Sequence, residues 1–121
     1  MKLLLVDDDA FLRDMYAKKF ADSGYEVEVA DSGAAGLSKI RQHPDFDMVI
    51  LDMVMPGMSG VELIENIKRD FPDFKAKCVV LSNQGQPEDI KEAEVAGADG
   101  YIIKAEVVPS DVVKKAEVLF K

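Results

Sequence analysis

Short aliphatic runs recur along the chain, and each is followed by a longer stretch with helical periodicity. The five runs are residues 3–6, 27–30, 48–51, 78–81 and 101–103. Uninterrupted aliphatic runs of this length are typical of parallel strands that are buried on both faces of a sheet. In the second run, glutamates precede and separate the valines, which predicts a half-exposed strand.

Helix start and stop signals lie between these runs. Asp9 and Ser32 are placed to cap the first two helices, and Ser59 opens the third with a capping box. Proline suits the first turn of a helix, so the fourth helix is predicted to begin at Pro87 and the fifth at Pro109. The corresponding stop signals are Gly24, Pro44, Pro72 and Gly97. The pattern therefore predicts a helix after every strand.

Alternation of five strands with five helices predicts an α/β fold with a doubly wound parallel sheet. Each crossover is expected to be right-handed, which places helices on both faces of the sheet. A length of 121 residues is that of one domain, and the sequence has no internal repeat, low-complexity segment or linker. We expect a single domain over residues 1–121, with no output domain in this chain.

Composition and charge narrow the classes of function. Hydrophobic residues make up 48% and charged residues 31%, as in a globular protein, and no apolar run approaches a membrane span or a secretory signal. The net charge of −8, without a basic cluster, disfavours direct binding to nucleic acid or to an anionic membrane. The single cysteine, Cys78, excludes an internal disulfide and suggests a reducing compartment, so we expect a cytoplasmic protein.

Polar side chains follow four of the predicted strands. They are Asp7, Asp8 and Asp9 after the first strand, Asp52 after the third, Ser82 after the fourth and Lys104 after the fifth. Ligands of an open parallel sheet bind at the carboxyl ends of its strands, so these side chains should converge at one edge. Clustered carboxylates repel one another and favour Mg²⁺, while Lys104 and Ser82 can bind phosphoryl oxygens. The set suits phosphoryl transfer, with Asp52 as a carboxylate nucleophile.

Four motifs in a fixed order carry a resemblance to a known family. They are LVDDD at residues 5–9, VILDMVMPGMSG at 49–60, VVLS at 79–82 and GADGYIIK at 97–104. The spacings of the acidic pair, Ser82 and Lys104 from Asp52 are also those of the family. On these motifs the chain resembles a response-regulator receiver domain over essentially its whole length.

The resemblance implies a flavodoxin-like sheet with strand order 2-1-3-4-5 and a role in phosphorelay signalling. Asp52 would accept a phosphoryl group from a phosphohistidine of a sensor histidine kinase or a histidine phosphotransfer protein. Asp7 and Asp8 would hold Mg²⁺ together with Asp52. The backbone carbonyl of Val54 would add a further ligand, and Lys104 would bind the phosphoryl group. The chain would thus be a signalling domain, whose only catalysis is its own phosphorylation and slow autodephosphorylation.

The resemblance also implies a switch. Ser82 would hydrogen-bond the phosphoryl group once it has formed, and Tyr101 would then rotate inward. This coupled movement would remodel a protein-binding face made by the fourth helix, the fifth strand and the fifth helix. The pathway, the cognate kinase, the downstream protein and phosphorylation-dependent homodimerisation stay open at this level.

Three positions depart from the family pattern. Ala105 follows Lys104, where relatives usually have a proline, often after a cis peptide bond. Because a cis bond before a residue other than proline costs about 3 kcal/mol, either this loop is strained or its path differs. Asn83 and Gln84 stand where a small residue is usual, and Val54 stands where many relatives are polar. We expect these changes to alter the lifetime of the phosphorylated form.

Two other functions remain open from the sequence. Asp7 and Asp9 also fit the D-x-D signature of haloacid dehalogenase-type phosphatases, with Asp7 as the nucleophile. Against that hypothesis, no acidic pair follows the lysine, the chain is short, and Asp52 would have no role. The chain could also be a degenerate receiver that serves only as a binding module, which the complete set of site residues disfavours. Asp9 is interpreted as a helix cap rather than a metal ligand.

Overall fold

A five-stranded parallel sheet with helices on both faces is present in the computed structural model, which describes residues 1–120. The strands are β1 (Lys2–Val6), β2 (Glu26–Ala30), β3 (Met48–Leu51), β4 (Lys77–Ser82) and β5 (Gly100–Ile103). The helices are α1 (Ala10–Asp22), α2 (Gly33–Gln42), α3 (Gly60–Asp70), α4 (Pro87–Ala96) and α5 (Pro109–Phe120), with one 3₁₀ turn (Lys104–Glu106) before α5. The strand order β2-β1-β3-β4-β5 confirms the predicted order, and every predicted element is present.

Side chains of the three central strands alternate between two hydrophobic clusters, one on each face of the sheet. The α3-side cluster receives Leu4 and Val6 of β1 together with buried residues of α2, α3 and α4. The α1-side cluster receives Leu3 and Leu5 of β1 together with buried residues of α1 and α5. Because β1, β3 and β4 are covered on both faces, their sequences show continuous aliphatic runs rather than alternation.

The helix caps read from the sequence are confirmed. The side chain of Asp9 accepts a hydrogen bond from the backbone N–H of Leu12 (3.0 Å), and that of Ser32 accepts one from Ala35 (3.1 Å). Ser59 forms both halves of its capping box with Glu62. These bonds satisfy backbone donors that a helix start would otherwise leave without partners. They also fix where α1 and α3 begin, next to the acidic residues that follow β1 and β3.

Among residues 1–120, no helix combines the length and the hydrophobicity that crossing a membrane requires.

Cys78 lies inside β4 and is fully buried in the α3-side cluster. Burial raises the pKa of its thiol from 9.0 to about 11, because a thiolate would be poorly solvated there. The thiol therefore stays protonated in the folded protein at pH values where an unfolded chain would begin to lose the proton. It behaves as a small apolar core residue.

We expect Cys78 to resist a thiol reagent such as Ellman's reagent at pH 8 in the native protein and to react readily in urea. Since its folded pKa is raised, its contribution to the free energy of unfolding is fully present below pH 9 and is lost as the pH rises through about 11. The stability advantage of the wild type over Cys78→Ala should therefore narrow over that interval. Rapid reaction of the thiol in the native protein would contradict the burial of Cys78. A difference in the free energy of unfolding between the wild type and Cys78→Ala that stays constant with pH would contradict its raised pKa.

Candidate functional site

The register of the sheet brings the acidic residues together. Val6, the last residue of β1, pairs with Leu51, the last residue of β3, so Asp7 and Asp52 leave the sheet side by side. Asp7, Asp8 and Asp52 each contribute one carboxylate oxygen to a group in which the three oxygens lie within 4.8 Å of one another. The convergence predicted from strand ends is therefore present for these three carboxylates. Asp9 is not part of the group, because its side chain caps α1.

Lys104 connects two of the carboxylates. Its Nζ lies 3.0 Å from Oδ2 of Asp7 and 3.2 Å from Oδ2 of Asp52. The Lys104 and Asp7 side chains are only 6% and 4% exposed, while Asp52 retains 15%, so these ion pairs are largely shielded from water. Burial alone would lower the pKa of Lys104, but Asp52 and Asp7 outweigh it and hold that pKa above the usual 10.5. The lysine is therefore a permanent cation at neutral pH.

Backbone amides orient the remaining oxygens. Oδ1 of Asp7 accepts a hydrogen bond from the N–H of Asp9 (3.0 Å), and Oδ1 of Asp52 accepts one from the N–H of Val54 (3.3 Å). Both oxygens of Asp7 are therefore engaged, one by Lys104 and one by the backbone. Asp8, in contrast, is exposed. The site has a rigid inner acid, a partly accessible acid at Asp52 and an open acid at Asp8.

The donor set fits a hard divalent cation. Three carboxylates face one ammonium group, which leaves the cluster with an excess of negative charge. Carboxylate oxygens are the ligands that Mg²⁺ prefers, and it usually takes only one or two of them together with waters. Asp7, Asp8 and Asp52 are thus the residues that would hold the metal. The role of the Val54 carbonyl stays a prediction; its side chain is 60% exposed beside the cluster.

Ser82 and Tyr101 are both tied to Gln84, in the loop between β4 and α4. Oγ of Ser82, which is 1% exposed, accepts a hydrogen bond from the N–H of Gln84 (3.2 Å). The hydroxyl of Tyr101 donates to the carbonyl of the same residue, and the ring packs against the α3-side cluster. Burial raises the pKa of Tyr101, so the phenol keeps its proton and remains a donor. Gln84 makes both hydrogen bonds with backbone atoms, so a sequence motif, which records side chains, does not reveal them.

Ala105 lies in the 3₁₀ turn that begins at Lys104. No cis peptide bond occurs within residues 1–120. Instead, the chain turns directly into the 3₁₀ turn (Lys104–Glu106), in which the carbonyl of Lys104 accepts from the N–H of Val107 at 3.4 Å. Lys104 nevertheless reaches Asp7 and Asp52.

A close backbone approach at Gly60 fixes the segment that carries Asp52. The N–H of Gly60, the first residue of α3, donates to the carbonyl of Met53 at 2.9 Å. A Cβ atom at Gly60 would lie 2.3 Å from the backbone oxygen of Asp52 and 2.8 Å from Cα of Met53. Only glycine lets α3 start this near the strand end. The sequence places Gly60 inside a capping box, but nothing in the pattern shows the contact with Asp52.

Comparison with known proteins identifies the family and agrees with the fold. The sequence model of the family described as "Response regulator receiver domain" matches residues 3–117. The chain is 35% identical to chemotaxis protein CheY-3 of Vibrio cholerae, over 86% of this chain and 80% of that protein. It is 36% identical to chemotaxis protein CheY of Halobacterium salinarum, over 90% and 88%. The solved structure of chemotaxis protein CheY4 of Vibrio cholerae superposes with a TM-score of 0.89 at 30% identity, covering 98% of this chain and 97% of that one.

We expect Gly60→Ala to destabilise the protein by about 1–3 kcal/mol, because the new methyl group meets backbone rather than a movable side chain. Elsewhere in helices, glycine to alanine commonly stabilises by about 0.4–1 kcal/mol, so the sign of the effect is informative. Urea unfolding measures it. Gly85→Ala, in the loop before α4, is the control, since its Cβ would meet only side-chain atoms of Ile103, the nearest at 3.1 Å. A Gly60→Ala protein as stable as the control would disprove the close approach.

Proposed function

The chain belongs to the response regulator receiver family, and we propose that it serves in phosphorelay signalling by accepting a phosphoryl group on Asp52. Receiver domains are signalling domains of two-component systems, so the general role follows from the family. The observation that carries the specific proposal is the placement of Asp52 beside Asp7, Asp8 and Lys104 at the carboxyl edge of the sheet.

Exposure supports Asp52 rather than Asp7 as the acceptor. Both oxygens of each carboxylate accept a hydrogen bond, but the Asp52 side chain is 15% exposed, whereas that of Asp7 is 4% exposed. An attacking carboxylate oxygen must reach the phosphorus atom of the donor, which Asp52 can do with less rearrangement. This difference disfavours a phosphatase mechanism in which Asp7 is the nucleophile.

The proposed step is an in-line transfer between two side chains. A carboxylate oxygen of Asp52 forms a bond to phosphorus while the phosphorus–nitrogen bond of the donor's phosphohistidine breaks, and the electron pair stays on the imidazole nitrogen. Lys104, already 3.2 Å from Asp52, is placed to offset negative charge on the phosphoryl oxygens. Its ammonium group is preorganised by the ion pair with Asp7, so little reorganisation is needed during transfer.

Asp7, Asp8 and Asp52 are the residues proposed to hold Mg²⁺, with the backbone carbonyl of Val54 as a further ligand. When bound, the ion supplies positive charge that stabilises the phosphoryl oxygens. The protein's own contribution is to fix the two inner carboxylates through the amides of Asp9 and Val54. Their oxygen positions are therefore set before the metal or the donor arrives.

Ser82, Gln84 and Tyr101 support a switch linked to this site. The Ser82 hydroxyl can donate to a phosphoryl oxygen while its oxygen still accepts from the Gln84 N–H, so a shift of Ser82 toward the phosphoryl group would draw Gln84 with it. Because Tyr101 donates to the carbonyl of the same Gln84, a shift of this loop would reach the ring directly. A cavity of about 250 Å³ lies between β5 and α5, lined in part by Tyr101 and the exposed Val118. The proposed partners are a phosphohistidine donor and a downstream protein that reads this face.

The primary test is the intact mass after incubation with Mg²⁺ and acetyl phosphate. The wild type should gain one phosphoryl group, Asp52→Asn should gain none, and Asp7→Asn should gain it more slowly. Both variants remove one negative charge from the same cluster, so each is the control for the other. Loss of label only with Asp7→Asn, with continuous release of phosphate, would indicate a phosphatase. Absence of label on the folded wild type, also with a phosphohistidine protein as donor, would indicate a binding module.

We expect Mg²⁺ to raise the melting temperature, because it relieves repulsion among the clustered carboxylates. The gain in the free energy of unfolding is about 2.7 kcal/mol when the Mg²⁺ concentration is 100 times Kd. Asp8→Asn should reduce this shift, since it removes the exposed ligand. Asp73→Asn, an exposed acid at the amino-terminal edge of the sheet, is the control and should respond like the wild type. A melting temperature that is the same in Mg²⁺ and in EDTA would contradict the metal site.

A further inference from the structure

Arg13 reaches from α1 to the backbone of the acidic segment. Its own N–H bonds to the carbonyl of Asp9 (2.8 Å), as the first turn of the helix requires. Its guanidinium Nη1 donates to the main-chain carbonyl of Asp7 at 3.1 Å. The Arg13 side chain therefore folds back toward the carboxyl end of β1 rather than extending into water. The motifs read from the sequence do not include this residue.

The Arg13 guanidinium is largely buried, and its hydrogen bonds compensate only partly for the lost contact with water. The Arg13 side chain is only 17% exposed, and its Nε is buried without a hydrogen-bond partner in residues 1–120. Within residues 1–120, its carboxylate neighbour in ion-pair range is Asp14, 4.0 Å away and 76% exposed, which is a weak and solvated interaction. Shielding a charged group from water without full pairing costs free energy. The bond to the Asp7 carbonyl is the direct interaction that offsets this cost.

The carbonyl of Asp7 belongs to the same peptide unit as the N–H of Asp8, and this unit is planar. Holding the oxygen therefore fixes the orientation of the whole unit and the direction in which the chain enters Asp8. The N–H of Asp7 is held from the other side by the carbonyl of Ala30, at 3.1 Å. Asp8 is exposed, so its placement depends on this backbone more than on packing.

We propose that Arg13 is a positioning residue of the metal site: through the Asp7 carbonyl it sets the backbone from which Asp8 presents its carboxylate. Its charge also reduces the excess of negative charge in the cluster. The inference rests on the proposed function only in taking Asp7, Asp8 and Asp52 as metal ligands. It assigns Arg13 no contact with the metal or the phosphoryl group.

The test is the affinity for Mg²⁺, measured by calorimetry on the whole chain. Arg13→Met keeps the apolar stem but removes the donor and the charge, and it should weaken Mg²⁺ binding by roughly tenfold, as loss of a partner of metal ligands commonly does. Arg13→Lys keeps a donor and the charge, so it should lose less. Lys18→Met removes a positive charge from the exposed part of the same helix and should bind Mg²⁺ like the wild type.

A second readout separates positioning from general stability. The phosphorylation of Arg13→Met by acetyl phosphate should require a higher Mg²⁺ concentration for its half-maximal rate than that of the wild type, because a misplaced Asp8 weakens metal binding. A purely structural defect would not shift this Mg²⁺ dependence. Unchanged Mg²⁺ affinity in Arg13→Met would overturn the inference. So would a loss of affinity in Lys18→Met as large as that in Arg13→Met, since the effect would then be charge alone. If Arg13→Met fails to fold, the comparison of Arg13→Lys with Lys18→Met decides.

The two proposals fail in distinguishable ways. If the wild type is phosphorylated on Asp52 and Arg13→Met has normal Mg²⁺ affinity, the proposed function is supported and the role of Arg13 is contradicted. If the wild type binds Mg²⁺ but accepts no phosphoryl group, and Arg13→Met binds Mg²⁺ more weakly, the role of Arg13 is supported and the proposed function is contradicted.

Discussion

The buried ion pairs of Lys104 with Asp7 and Asp52 are the interaction on which the rest of the site depends. Each partner comes from the end of a different strand, so the pairs form only when β1, β3 and β5 are all in register. Charges at this depth are stable only when paired and hydrogen-bonded, which the amides of Asp9 and Val54 complete. The sheet thus serves chiefly to hold one ammonium and two carboxylates at fixed distances.

The backbone around this cluster is held by contacts that leave little freedom. Gly60 brings the start of α3 against the carbonyl of Asp52, and the Arg13 guanidinium binds the carbonyl of Asp7. These two contacts act on the main chain of the acidic residues and not on their side chains. The carboxylate of Asp8 is exposed and is free to reorient toward a bound ligand. Two fixed carboxylates and one open carboxylate are the arrangement that the proposed binding of a cation and a phosphoryl donor would require.

Much of the fold and the set of clustered residues could be predicted from the sequence, because both depend on local patterns. Aliphatic runs marked the strands, and the polar residues at their ends were Asp7, Asp52, Ser82 and Lys104. The contacts of Gly60, Arg13 and Gln84 could not be predicted. They involve backbone atoms of residues two to 17 positions away, and a sequence pattern shows which side chains are present but not which backbone atoms they meet. For the same reason, Ala105 signalled an unusual loop without specifying the 3₁₀ turn.

That turn has a mechanical consequence. Lys104 is both the cation of the site and the first residue of the 3₁₀ turn (Lys104–Glu106), and α5 begins at Pro109. The hydrogen bond that closes the turn is long, at 3.4 Å, so it stabilises this short segment only weakly. Only a few residues separate Lys104 from Pro109, so a movement of the Lys104 ammonium group would readily shift the start of α5. The short 3₁₀ turn therefore links the position of the Lys104 ammonium group to the start of α5.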